Sequence, residues 1–168
     1  MLFGLFTQWK QLTSGIASVL SGPGIAGDVI GLDPSGAKSH GGIQKLGYNG
    51  QPVNGNPVVA PVVVHDGMIY VSGQGANDSG SIEDLDITAH VRKVMDNVKR
   101  LIEGAGGDMD NVLQLTVYLA TLEFYEAMNA AYRPYFPNRG PARATVSVAG
   151  IPGKSLIEVS CIAKVIRQ

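Results

Sequence analysis

The sequence predicts an α+β fold in which two helices cover one face of a mostly antiparallel sheet. Three observations support this prediction. Strand-like and helix-like segments alternate in the order ββ, α, β, α, ββ, and each helical segment has one apolar stripe. Of the 168 residues, 45% are hydrophobic, which is enough to bury one core. The formal net charge of −1 gives no general attraction to nucleic acid, so we expect no nucleic-acid partner.

The first two strands are predicted over residues 62–72, with a turn at Asp66 and Gly67. An Asp-Gly pair between two apolar runs is a strong short-range signal for a β-hairpin. His65 precedes this turn, and we expect it to face solvent.

Two helices and a strand follow. The first helix is predicted over 87–103 from apolar residues at spacings of three and four, with Gly104 as the candidate C′ residue. His90 lies off this apolar stripe and is expected to be solvated. A strand is predicted over 112–120 and a second helix over 122–135. The predicted buried face of the second helix comprises Phe124, Met128, Ala131, Tyr132 and Tyr135.

The last two strands are predicted as a hairpin over residues 142–166 with a Gly/Pro turn between them. Alternation puts Arg143 and Thr145 on one face of the first strand, and Glu158 and Ser160 on one face of the second. An antiparallel register would bring Arg143 opposite Ser160 and Thr145 opposite Glu158. Arg143 and Glu158 would then be diagonal neighbours on one face, about 7 Å apart at Cα.

An arginine and a glutamate in such a hairpin have two interpretations. They form either a cross-strand salt bridge on a solvated face, worth about 1 kcal/mol or less, or a site for a small anionic ligand. A planar guanidinium such as that of Arg143 binds a carboxylate through two parallel hydrogen bonds. A carboxylate such as that of Glu158 can hold a water molecule and move its proton.

The first 56 residues differ from the rest of the chain. Residues 1–20 carry apolar side chains at helical spacing, whereas residues 21–56 are rich in Gly, Pro, Asn and Ser. We therefore expect an N-terminal amphipathic helix plus an arm over 1–56, and one further domain over 57–168. Polar residues interrupt the apolar run, so neither a membrane span nor a secretory signal is expected. The N-terminal helix is expected to pack on the core of this protein or on a neighbouring subunit. Alternatively, the same segment is a transit peptide or a docking helix for another protein.

Known metal and cofactor patterns are absent from the sequence. His40, His65 and His90 are far apart and have no ligand-spaced partners, so no metal site is predicted. The glycine-containing segment 72–75 does not open a helix, and no cofactor is predicted. The single cysteine, Cys161, cannot form an intrachain disulfide and is expected to be a buried apolar residue, which permits a cytoplasmic location.

Five separated segments form a specific pattern when they are considered together. They are DGMIYVSGQ (66–74), VKRLIEGAG (98–106), VLQLTVYLA (112–120), NAAY (129–132) and the stretch from PAR (141–143) through residue 163. Together they cover roughly residues 57–167. In order and spacing they resemble the Rid (YjgF) family of reactive-intermediate imine/enamine deaminases.

The resemblance implies a chorismate-mutase-like sandwich that assembles as a homotrimer, with ligand sites between subunits and no cofactor. It implies hydrolysis of small 2-imino or enamine carboxylic acids to ammonia and a 2-oxo acid. Arg143 would bind the substrate carboxylate, and Glu158 would be associated with the catalytic water. The backbone at Gly73 and the side chains of Asn129 and Thr145 would lie near the substrate. Asn129 also has a simpler interpretation, as a helix residue that bonds a loop.

One segment departs from the family pattern. The family's deaminases usually carry Gly-Pro-Tyr-Ser before the first long strand, whereas this chain has Val58, Val59 and Ala60 there. Tyr48, in the arm, is the candidate to supply the missing hydroxyl by reaching a neighbouring subunit. The alternatives to a general imine/enamine deaminase are a specialised member of the family, such as an aminomuconate-like deaminase, and a non-catalytic protein that binds small carboxylates or serves in assembly.

Overall fold

A computed structural model describes residues 42–55, 57–76 and 85–166. One six-stranded sheet has the order β1-β2-β3-β6-β4-β5, and only the β4–β5 pair is parallel. The predicted N-terminal helix, the arm before residue 42 and His40 lie outside the described residues. The α+β class, with two helices on a mostly antiparallel sheet, is confirmed. The elements are β1 (Gln44–Leu46), β2 (Val62–His65), β3 (Met68–Gln74), α1 (Ile87–Gly104), β4 (Val112–Leu119), α2 (Tyr125–Tyr132), β5 (Ala142–Ser147) and β6 (Ile157–Lys164).

Local sequence signals agree closely with these elements. The β2–β3 hairpin turns at Asp66 and Gly67, whose φ values of 49° and 73° suit the two-residue turn that the Asp-Gly pair predicts. Helix α1 begins after Asp86, whose carboxylate accepts a hydrogen bond from the Ala89 N–H at 2.8 Å. The left-handed residue after α1 is Gly106, with φ 84°, and not Gly104 as predicted.

The core lies between the helices and one face of the sheet. Short 3-10 turns flank α2, so that helical structure runs through residues 122–135 as predicted. Cys161 is buried on this face, as predicted, and burial raises the pKa of its thiol to about 12. The most completely buried core residues of the sheet and α1 include Ile69, Val91, Val94, Met95, Val98, Ile102, Leu115, Val117, Leu119, Ile157 and Val159.

The predicted hairpin of the last two strands is wrong, because β4 lies between β5 and β6. Helix α2 is the crossover that joins the parallel strands β4 and β5. The segment 148–156 then passes across the end of β4. There the Val148 N–H donates to the Leu119 carbonyl, and the Ala120 N–H donates to the Leu156 carbonyl, both at 3.0 Å. The Gly/Pro segment is therefore a crossing between two strands and not a tight turn.

His90 is buried, with 1% of its surface exposed, which contradicts the prediction that it is solvated. Its Nδ1 accepts a hydrogen bond from the Leu156 N–H at 3.1 Å, and this bond offsets the cost of burying a polar ring. Nearby, the Ser155 hydroxyl donates to the Ile157 carbonyl and accepts from the Ala76 N–H. These bonds fix the chain where it enters β6.

Part of the predicted arm belongs to the sheet. Residues Gln44–Leu46 form β1, which pairs antiparallel with β2. The following turn packs closely on the end of α1, since a Cβ added at Gly50 would lie 3.0 Å from the Gly104 carbonyl oxygen. No helix within residues 42–55, 57–76 and 85–166 is long and apolar enough to cross a membrane.

Candidate active site

Arg143 and Glu158 lie on opposite faces of the sheet. Arg143 pairs with Leu115, which pairs with Cys161, and the last two are buried under the helices. Glu158 pairs with Tyr118, three register positions from the Leu115–Cys161 pair, and this odd number of steps places Glu158 on the other face. The prediction that the two charges are diagonal neighbours on one face is therefore wrong. Alternation relates faces within one strand, and a strand register that differs by one residue inverts the relation between strands.

Arg143 is part of a cluster, here called the arginine cluster, with Asn129, Tyr132 and Tyr125. Its Nη2 donates a hydrogen bond to Asn129 Oδ1 at 2.8 Å. Its Cζ lies over the Tyr132 ring, 4.8 Å from the centroid, and over the Tyr125 ring at 5.9 Å. The three helical residues are spaced i, i+4 and i+7, so they form one stripe on α2 that faces β5.

The arginine cluster has the electrostatic character of an anion site. Within the described part of the chain, the half-buried Arg143 has no carboxylate within salt-bridge distance. Among the described residues, Thr145 Oγ1 is buried without a hydrogen-bond partner, and the buried Tyr132 hydroxyl has no partner of good hydrogen-bond geometry but lies close enough to Arg143 to interact with its guanidinium. Burial raises the pKa of the Tyr132 phenol to about 12, although the charge of Arg143 acts in the opposite direction. Buried hydroxyls without partners are uncommon in folded proteins, so Thr145 Oγ1 is available to a bound water molecule or ligand.

Glu158 lies half-buried on the other face, between Tyr118 of β4 and Gly73 of β3. A Cβ added at Gly73 would lie 2.8 Å from the Glu158 carboxyl carbon, closer than real Cβ atoms approach. Only glycine therefore leaves room for the carboxylate in this position. Of the predicted site residues, Gly73 and Glu158 are brought together, but apart from Arg143, Thr145 and Asn129.

A β-bulge brings Gly73 against Glu158. Val71 pairs with Cys161 and Gln74 pairs with Val159, so β3 advances three residues where β6 advances two. The buried Gln74 side chain donates from Nε2 to the carbonyl and the hydroxyl of Ser72, each at 3.1 Å. These bonds stabilise the bulge.

The remaining predicted residues lie elsewhere. Tyr48 is half exposed beside β1, with its ring centroid 6.0 Å from the Arg100 Cζ. Since β1 and β5 are opposite edges of the sheet, Tyr48 does not meet Arg143 within one chain. Val58 and Val59, which replace the family's polar pair, are exposed. Within the described ranges, no group of three or more His, Cys, Asp or Glu side chains could hold a metal ion.

Sequence reasoning missed the two tyrosines of the arginine cluster. It treated the aromatic spacing of the second helix as core packing, which is correct for the buried Tyr132 but incomplete. The signal was Tyr125, Asn129 and Tyr132 on one stripe of a helix that connects two neighbouring strands. A crossover helix packs over the strands it joins, so this stripe faces the strand that carries Arg143.

Comparisons with known proteins agree with this fold. A family model described as Endoribonuclease L-PSP matches residues 51–165. A RutC family protein of Pyrococcus abyssi is 38% identical over 97 residues, which are 56% of this chain and 76% of that protein. The YjgF gene product of E. coli has a similar structure, with TM-score 0.62 and 29% identity over 72% of this chain and 97% of that one. YyfA of Yersinia pestis, described as a Rid family protein, gives TM-score 0.64 and 27% identity over 73% of this chain and 98% of that one. The chain therefore belongs to the Rid (YjgF) family, which the Endoribonuclease L-PSP model describes.

Proposed function

We propose that this protein hydrolyses small 2-imino or enamine carboxylic acids to a 2-oxo acid and ammonia. The observation that carries the proposal is Arg143, a half-buried cation without a carboxylate partner among the described residues, on the sheet face that also carries the unpartnered Thr145 hydroxyl. A guanidinium in such surroundings is suited to bind a carboxylate through two hydrogen bonds. Membership of the family that contains such deaminases supports the reaction class.

The proposed reaction needs neither an oxidant nor a covalent intermediate with the enzyme. In a protonated imine the C=N carbon is electrophilic, so water adds there and the C–N bond then breaks. The nitrogen leaves as ammonia, and the added oxygen becomes the 2-oxo group. Arg143 would hold the substrate carboxylate and thereby fix the position of the adjacent carbon. Glu158 would hold the water and transfer its proton to the leaving nitrogen.

Joint action of Arg143 and Glu158 on one substrate requires two subunits, because the residues face opposite sides of the sheet in one chain. We propose a homotrimer in which Arg143 of one subunit and Glu158 of its neighbour form each site. The face that carries Glu158 has no helix of the described residues packed on it. It exposes large apolar side chains, with Tyr70 43% and Val146 45% exposed. Exposed apolar groups among polar ones are typical of an interface.

The decisive experiment measures ammonia release from 2-iminobutanoate that is generated in the assay, relative to buffer. Wild type is expected to accelerate release, Arg143→Ala to lose the acceleration, and Glu158→Gln to lose turnover but still bind a small carboxylate. Arg139→Ala is the matched control, because Arg139 is an exposed arginine four residues away. If wild type and Arg143→Ala both give the rate of buffer, the general deaminase proposal fails.

A second candidate function is binding of small carboxylates without turnover. Val58 and Val59 favour it, because they remove the hydroxyls that the family's deaminases carry in this segment. Carboxylate binding that is lost in Arg143→Ala, together with no ammonia release above buffer from any imino acid, would support this candidate. Turnover of only an aminomuconate-like acid would instead indicate a specialised deaminase.

A further inference from the structure

Tyr125 forms the solvent-side boundary of the arginine cluster. Asn129 occupies one amino group of the Arg143 guanidinium, and the Tyr132 ring, with only 9% of its surface exposed, covers it from within. Tyr125 also lies over the guanidinium, but 38% of its surface is exposed. A ligand that reaches the remaining guanidinium N–H groups from solvent therefore comes to lie beside the Tyr125 ring.

We propose that Tyr125 is a specificity-determining residue that favours planar, conjugated carboxylates over saturated ones. The inference rests on the proposed carboxylate site at Arg143. Aromatic rings gain free energy beyond simple burial when a flat π-system packs on them. A 2-imino acid, its enamine tautomer and the 2-oxo acid product all have a trigonal C2 in conjugation with the carboxylate. The parent 2-amino acid has a tetrahedral C2, so the ring discriminates against it.

A different role for Tyr125 makes a different prediction. If the ring only holds Arg143 through their cation–π contact, loss of the ring lowers the affinity for every carboxylate by the same factor. If the ring also contacts the ligand, its loss weakens the binding of planar carboxylates by a larger factor than the binding of saturated ones. The ratio of two affinities therefore separates ligand contact from the positioning of Arg143.

The experiment compares crotonate with butyrate, which have the same carbon chain and differ in the double bond conjugated with the carboxylate. Dissociation constants are measured by calorimetry on the full-length wild type, Tyr125→Phe and Tyr125→Leu. Wild type is expected to bind crotonate about threefold to tenfold more tightly than butyrate, the range that aromatic packing provides. Tyr125→Phe keeps this ratio, whereas Tyr125→Leu lowers it to about one, because the affinity for crotonate falls by a larger factor than the affinity for butyrate.

Two results would overturn the inference while leaving the Arg143 site intact. One is equal affinities of wild type for both carboxylates, and the other is an unchanged ratio in Tyr125→Leu, whether both affinities are kept or both fall by the same factor. Absence of binding of either carboxylate to folded wild type would overturn the proposed carboxylate site and this inference together. Circular dichroism of each variant establishes that the fold is retained.

Discussion

Mixed oligomers test whether Arg143 and Glu158 act from different subunits. Chains with Arg143→Ala and chains with Glu158→Gln would be co-expressed with different affinity tags, and oligomers with both tags purified. Each variant alone lacks one half of every site. In a mixed oligomer, an intact site forms wherever the unchanged Arg143 of one chain meets the unchanged Glu158 of the next.

The expected activity follows from the arrangement of the chains. A ring of three that contains both kinds of chain has three directed interfaces, and one of them joins two unchanged halves. Doubly tagged trimers should therefore show about one third of the wild-type kcat, and a two-fold dimer would instead show about one half. KM should equal that of wild type, because the restored site contains no substitution.

Ammonia release from 2-iminobutanoate provides the assay, with each homo-oligomer measured in parallel. A mixture of Arg143→Ala and Arg143→Gln chains is the control. Both substitutions affect the same half of the site, so no activity should return. If doubly tagged oligomers of the Arg143 and Glu158 variants are no more active than their parents, the two residues do not share an intersubunit site and the reasoning is wrong.

Three further predictions concern single residues. Gly73→Ala should lower kcat by roughly 10-fold to 100-fold, because the added Cβ displaces Glu158, and carboxylate binding should be retained. Gly140→Ala is the neutral control in the same assay, since no atom lies within 4 Å of a Cβ added there. His90→Phe should lower the free energy of unfolding in urea by about 1 to 3 kcal/mol, because the partly buried Leu156 N–H loses its acceptor. An unchanged urea midpoint would contradict a stabilising role for this hydrogen bond. Because the pKa of the Cys161 thiol is raised to about 12, this thiol should resist iodoacetamide at pH 8 until urea unfolds the protein, as mass spectrometry would detect. The contribution of the protonated Cys161 thiol to stability should decline as pH rises above the ordinary thiol pKa.

The local elements could be predicted because their signals lie within a few residues of one another. The Asp66-Gly67 pair specifies the β2–β3 turn, and apolar spacing specifies α1 and the helical segment around α2. The prediction that His90 is solvated was wrong because it rested only on the position of His90 off the apolar stripe of α1. The compensating donor, the Leu156 N–H, lies 66 positions away in sequence.

Strand pairing could not be derived from alternation alone. Two strands linked by a Gly/Pro-containing segment suggest a hairpin, but segment 148–156 is long enough to step over one strand, a distance of roughly 10 Å. The informative signal was α2, because a helix between two strands favours a parallel pair. Once β5 pairs with one edge of β4, the other edge of β4 remains free for β6. Strand β6 then also pairs with the free edge of β3.

The faces of the candidate site follow from this pairing. Arg143 shares a register line with Cys161, whereas the hairpin prediction aligned it with Ser160, one residue away. That single step moves Arg143 to the helix-covered face, beside Asn129 and Tyr132, and leaves Glu158 on the other face beside Gly73.

The one-residue difference in register that separates Arg143 from Glu158 in one chain also gives each residue a separate setting of its own. Arg143 has its hydrogen-bond acceptor and aromatic neighbours on α2, and Glu158 has the bulge that makes room for it at Gly73. Neither setting contains a group of opposite charge for its residue among the described side chains. In the trimer proposed above, these two charges of opposite sign, at an edge strand and on the opposite sheet face, would complement each other between copies of the chain. A substrate that carries both a carboxylate and an iminium group would match this pair of charges in the proposed trimer, because its carboxylate would face Arg143 while its nitrogen would face Glu158.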